Sequence, residues 1–155
     1  MKVKDLMRKK IITLKPEDTY EDAVVLLYKN NLNGVPVVND KEKLVGYVSE
    51  KDLFRILYPY YQSFYEHPES YTDGEDREKK AKEIRFHKVE IFMNKSPLTV
   101  DPEMPIMNAG ALMLAHRVHK LPVIENDKII GILDREAIYK AVFKKNYKDI
   151  FKDIL

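Results

Sequence analysis

Ser49 and Asp52 stand three residues apart in Gly46-Tyr47-Val48-Ser49-Glu50-Lys51-Asp52-Leu53, where a β-branched run gives way to a helical one. A hydroxyl and a carboxylate beside a helix N-terminus suit an anion and a hydrogen-bond donor. The terminus offers unpaired N–H groups and a positive dipole end, and the carboxylate accepts directed bonds. The same spacing is close to the capping box, in which serine and acid satisfy each other's backbone donors for structural reasons alone. Both readings stand on these residues. A second polar pair, His119-Lys120, precedes Leu121-Pro122-Val123-Ile124 and reads either as an anion contact or as a solvated lysine beside a packed histidine. His116 and His119 are three apart and able to share a helix face, but without a placed acid or cysteine they make a poor metal site, and no metal is expected. The chain has no nucleophile elbow, P-loop or His-Glu-x-x-His, so catalysis is not expected.

Composition narrows the class. The chain has 155 residues, 45% hydrophobic and 34% charged, enough for one compact domain or two small halves sharing a core. Twenty-seven basic against 25 acidic residues leave a formal charge of +2, too even to drive nucleic-acid or membrane binding by net field. Any anion site must be local. No cysteine is present, which excludes disulfides, zinc-thiolate sites and thiol nucleophiles and fits a reducing cytoplasm. No signal peptide and no apolar run near the roughly 20 residues that span a bilayer are evident, so a cytoplasmic protein is expected.

The elements that must position these residues occur twice. Shifting the chain by 86 positions aligns 2–41 with 88–127 without a gap, placing Val3 on Val89, Met7 on Met93, Pro16-Glu17 on Pro102-Glu103 and Pro36-Val37 on Pro122-Val123. A one-residue deletion then brings Gly46 onto Gly131. In the first copy Thr13-Leu14 reads as a short strand. Pro16-Glu17-Asp18-Thr19 supplies a cap, and Ala23, Val24, Leu26 and Leu27 form a helical face that Asn33-Gly34 is expected to stop. Val35–Val38 and Leu44–Val48, joined by Asn39-Asp40-Lys41-Glu42, read as a hairpin, and Ser49 opens a second helix with Leu53, Ile56 and Leu57 inward. The second copy repeats the order, with a helix over about Ile106–His116, strands at Leu121–Ile124 and Ile129–Leu133, and a helix from about Asp134. The unit is β-α-β-β-α, and the fold class α/β (α+β). Each small sheet has a face it cannot cover alone, which calls for two repeats packed in pseudo-two-fold symmetry. The expected divisions are repeat 1 over 1–57, a Tyr-rich and charged helical spacer over 58–87, repeat 2 over 88–143 and a helical tail over 144–155.

Val3-Lys4-Asp5-Leu6-Met7, Asn33-Gly34-Val35-Pro36-Val37-Val38 and Gly46 through Leu53, echoed by His119-Lys120-Leu121-Pro122-Val123-Ile124, together resemble the CBS (cystathionine-β-synthase type) repeat. The resemblance covers nearly all of the chain except 58–87 and the tail. It implies a stand-alone regulatory CBS pair with a cleft between its repeats, a homodimer, and a ligand such as AMP, ADP, ATP or S-adenosylmethionine. In that pattern Asp52 would accept from the ribose hydroxyls, Ser49 would donate to a phosphate oxygen, and His119 with Lys120 would reach the phosphate. Lys120 replaces a family arginine and lacks its bidentate fork. Asn33, Gly34, Val35 and Pro36 would line the adenine pocket through their backbone.

The second copy departs from this pattern at both informative positions. It carries Asp134 and Ala137 where the first carries Ser49 and Asp52, so it keeps a cap, loses the acid and sets a carboxylate against any phosphate. One good nucleotide site per chain is therefore expected. The rival reading is a structural dimerisation or scaffolding module without a physiological nucleotide. An unknown protein partner stays open, since Tyr58–Tyr65 with Tyr71 gathers half the tyrosines and the tail Val142, Phe143, Tyr147, Ile150, Phe151, Ile154 and Leu155 is amphipathic. Glu75 to Arg85 alternates charge at helical spacing and reads as a solvated spacer helix.

Overall fold

A computed structural model describes residues 1–58 and 74–152. Its elements in chain order are α1 (Val3–Leu6), α2 (Tyr20–Lys29), β1 (Gly34–Val38), β2 (Leu44–Ser49), α3 (Glu50–Arg55), α4 (Gly74–Glu83), α5 (Val89–Phe92), α6 (Ile106–Ala115), β3 (Lys120–Glu125), β4 (Lys128–Asp134), α7 (Arg135–Asn146) and α8 (Lys148–Phe151). The repeat is plain in this order, as α1-α2-β1-β2-α3 recurs as α5-α6-β3-β4-α7. The expected opening strand is reduced to one parallel bridge in each copy, Leu14 to Val37 and Val100 to Val123, and a short helix precedes it. The Tyr-rich cluster from Pro59 through Tyr71 and the tail residues Ile154 and Leu155 lie outside the described residues.

The chain divides into two compact bodies, Ile12–Pro97 and Met1–Ile11 with Leu98–Leu155. These are cut differently from the sequence repeats, because the leading segment of each copy packs into the body of the other. In the second body Val3 is fully buried among Val100, Ile106, Met113, Leu121, Val123 and Leu133. Its N–H donates to the Met104 carbonyl at 2.9 Å, and the Ile106 N–H donates to the Met1 carbonyl at 3.2 Å. In the first body Val89 takes the matching place among Leu14, Ala23, Leu27, Val35, Val37 and Val48, and its N–H donates to the Asp18 carbonyl at 2.7 Å.

The hairpins explain where these segments attach. β1 and β2 are antiparallel with Pro36 opposite Tyr47, and β3 and β4 place Pro122 opposite Ile132. Proline has no N–H to give a ladder. The facing residue turns its own groups outward, so that the Ile132 N–H and C=O exchange bonds with Arg8 at 3.0 and 2.9 Å while Tyr47 does the same with Asn94 at 2.9 Å each way. The close approach needs glycine beside it. A Cβ on Gly131 would lie 2.7 Å from Met7 Sδ and 3.1 Å from the Arg8 carbonyl oxygen, and one on Gly46 would collide with Met93. The repeated Met and Gly are thus two sides of one contact.

Two expectations about helices are corrected. Asn33-Gly34 does not stop α2, which ends at Lys29 with Asn30 as C-cap and Asn31 in the left-handed region at φ 51°. Asparagine tolerates that conformation because its short polar side chain bonds locally, and α6 ends the same way at His116-Arg117. Gly34 instead begins β1, where a Cβ would sit 2.7 Å from the Tyr47 ring. Val24 is not part of the buried α2 face, which is Tyr20, Ala23 and Leu27. No helix among the described residues is long and apolar enough to cross a membrane.

Candidate functional site

In the first body the expected site residues converge on one end of the β1–β2 hairpin. Gly34 faces Ser49 across the ladder, and the Glu50 N–H donates to the Asn33 carbonyl at 3.0 Å, tying the entry of β1 to the start of α3. Ser49 is the α3 N-cap and forms a complete capping box. Its N–H and hydroxyl both donate to Asp52 Oδ2 at 2.9 Å, and the Asp52 N–H donates back to its Oγ at 3.3 Å. Asp52 Oδ1 faces Arg55 Nη1 at 3.6 Å with the acid side chain 12% exposed. The box orients the carboxylate and leaves lone pairs on Oδ1 for a donor arriving from outside. Val35 and Pro36 are buried in the core, and the Pro36 carbonyl accepts from the Leu14 N–H at 3.0 Å.

In the second body the matching end is of opposite sign. Lys120 faces Asp134 across the ladder, and the Arg135 N–H donates to the His119 carbonyl at 2.9 Å. The Arg135 guanidinium also donates to His119 Nδ1 at 2.9 Å, and since arginine only donates, the ring proton belongs on Nε2. His119 precedes β3 and His116 caps α6, so the two share no helix face. Asp134 occupies the α7 N-cap but makes no capping bond through its side chain, contrary to the expected cap. Its Oδ2 accepts instead from Arg8 Nη2 at 3.1 Å. Burial pulls the Lys120 ammonium below its usual pKa, the Asp134 carboxylate raises it, and the Arg8 charge lowers it.

Sequence reasoning passed over Arg8, which lies 126 residues from Asp134. The signal was present in the repeat: Arg8 takes the place of Asn94 beside the matched methionines, a change from neutral to charged at an otherwise aligned position.

A separate apolar groove of about 460 Å³ lies between α2, α3 and α4, walled by Tyr20, Val24, Val25, Leu53, Phe54 and Leu57, with Glu21 and Arg85 at its rim. It includes neither Ser49 nor Asp52. Arg85 clamps Glu21 with bonds of 3.0 and 2.8 Å and Ile84 is buried in the core, so the end of the charged spacer is packed rather than simply solvated. Among the described residues no cluster of metal-ligating side chains occurs.

The model of the CBS domain matches residues 3–59 and 88–144. A CBS domain-containing protein of Dictyostelium discoideum is 29% identical over 147 residues, covering 92% of this chain and 91% of its own length. CBSX2 of Arabidopsis thaliana is 30% identical with a TM-score of 0.73, covering 94% of this chain and 96% of that one. CBSX2 has also been solved in complex with AMP, and that structure is 29% identical with a TM-score of 0.72 over 94% of this chain and 98% of that one. The CBS domain pair of protein MJ0100, solved with 5′-methylthioadenosine and S-adenosyl-L-methionine, shares the fold at 22% identity and a TM-score of 0.69, covering 94% of this chain and 98% of that one. Two copies of the motif, the repeated hairpin and helix order, and these likenesses agree: the chain belongs to the CBS-domain family and carries the domain twice.

Proposed function

We propose that this CBS pair is a non-catalytic regulatory module that binds an adenine nucleotide of the AMP, ADP or ATP class, with one good site per chain. Ser49 and Asp52 of the first repeat serve the ribose end, and His119 and Lys120 of the second serve the phosphate. The observation that carries the reading is the capping box at Ser49 and Asp52, which fixes a carboxylate at the start of α3 and leaves lone pairs on its Oδ1 for a donor such as a ribose hydroxyl. CBSX2, solved with AMP, supports the ligand class. The reading includes a homodimer and, from the absence of cysteine, a cytoplasmic setting without a metal requirement.

Thermal unfolding with AMP, ADP and ATP tests it. A ligand at a hundred times its dissociation constant adds about 2.7 kcal/mol to the folded state, a rise in Tm readable by any scan. Asp52→Asn should weaken binding by roughly tenfold, the loss expected when one hydrogen bond to a charged acceptor goes. Two equal sites per chain would refute the asymmetry. No shift with any nucleotide would favour the scaffold reading instead.

A further inference from the structure

The five positions that surround the two matching hairpin ends differ systematically. In the first body they are Asn33, Gly34, Ser49, Glu50 and Asn94, with no cation; in the second they are His119, Lys120, Asp134, Arg135 and Arg8. Asp134 offsets one of three cations, and the nearby Glu136 is paired with Lys140 at 2.5 Å. The second body therefore presents an excess of positive charge at this end.

Arg8 is anchored at this end with its guanidinium still exposed. Its backbone is fixed by the two bonds to Ile132, and Met7 packs over Gly131 beside it. One guanidinium nitrogen rests on Asp134 at 3.1 Å while the side chain stays 55% exposed. A guanidinium has five N–H donors. Among the described residues only Asp134 accepts one from Arg8, so a fork remains for a ligand. Lys120 stands across the ladder from the same carboxylate, and the charge of Arg8 is felt at its ammonium.

We propose that Arg8 is a phosphate-binding residue of the nucleotide site inferred above, anchored by Asp134 and supplying the bidentate fork that Lys120 lacks. The inference rests on that reading of the site and narrows its ligand. A guanidinium and an ammonium flanking one carboxylate favour a phosphorylated adenosine and disfavour a sulfonium such as S-adenosylmethionine. The carboxylate at Asp134, which alone would repel a phosphate, becomes the support of the residue that binds it.

Isothermal titration of AMP and of adenosine into the wild-type chain, Arg8→Ala and Arg8→Lys tests this, with amide spectra checking that each variant is folded. Arg8→Ala should weaken AMP by about tenfold, the factor for one charge-assisted bond, and leave adenosine within about twofold. Arg8→Lys should fall between, and the salt dependence of AMP binding should flatten in Arg8→Ala. Unchanged AMP affinity in Arg8→Ala overturns the proposal, as does an equal loss for adenosine, which would mark a structural role. If the wild-type chain binds neither compound, the nucleotide reading itself falls and this inference with it. Wild-type binding of AMP with no effect of Arg8 would instead leave that reading standing and remove only this one.

Discussion

Replacing Val3 by alanine should destabilise a body whose larger part begins 95 positions later in the chain, at Leu98. Val3 has no solvent exposure and touches a core built from α6, β3, β4 and α7. The substitution removes two methyl groups. At about 0.8 kcal/mol per buried carbon, plus a cavity that the surrounding Val100, Leu121 and Leu133 fill only in part, the cost is about 2 kcal/mol. For a chain of this length that lowers Tm by about 4–8 °C. Urea denaturation measures the size of the effect, and amide hydrogen exchange measures its place. Exchange should accelerate in β3, β4 and α6, whereas Val89→Ala should accelerate it in β1, β2 and α2. The reasoning is refuted if Val3→Ala loosens β1 and β2 while sparing β3 and β4, because the leading segment would then serve the repeat it precedes in sequence.

Three further outcomes are expected. Ser49→Ala should cost about 1 kcal/mol through loss of the α3 cap, read by urea denaturation, while Asp134→Ala, which removes an exposed ion pair and no capping bond, should cost less. Tyr20→Phe should cost about 1–3 kcal/mol in the same assay, because the Tyr20 hydroxyl donates to the Leu53 carbonyl at 2.9 Å and that buried acceptor would be left without its partner. Hydrogen bonds from Lys2 and Lys4 hold the Glu103 carboxyl down to about 2 from an ordinary 4.5. Its folded pKa is depressed, so its stabilising contribution is present above pH 4.5 and is lost as pH falls toward 2, and an acid titration of stability should be shallower in Glu103→Gln. High salt should narrow that difference, since all three groups are exposed.

Much of the local structure was legible because its causes are local. The α2 cap at Thr19, the α3 cap at Ser49 and the hairpin joined through Asn39–Glu42 follow from side chains bonding to their own neighbourhood. The end of α2 was misplaced because Asn30-Asn31 and Asn33-Gly34 both carry stop residues within one turn, and the left-handed site was taken by asparagine. Val24 was misplaced because α2 buries a narrow stripe and leaves its next face to the groove beside α3 and α4. Of the candidate site, Ser49 with Asp52 and His119 with Lys120 were visible as short motifs. The bond between Arg8 and Asp134 was not, since nothing in either segment points to the other.

The two copies of the motif, the order of their elements, the lack of any thiol chemistry and the asymmetry between Ser49–Asp52 and Asp134–Ala137 belong to the sequence alone. Which leading segment completes which core belongs to the tertiary structure. Val3 and Val89 sit in nearly the same local sequence, Lys-Val three residues before the end of a short helix, so no propensity or periodicity separates their destinations. Long-range packing decides it: the outward-turned backbone opposite Pro36 and Pro122 and the space over Gly46 and Gly131 accept the segment from the other copy. That exchange is also what carries Arg8 to Asp134, and with it the positive charge at the second hairpin's end.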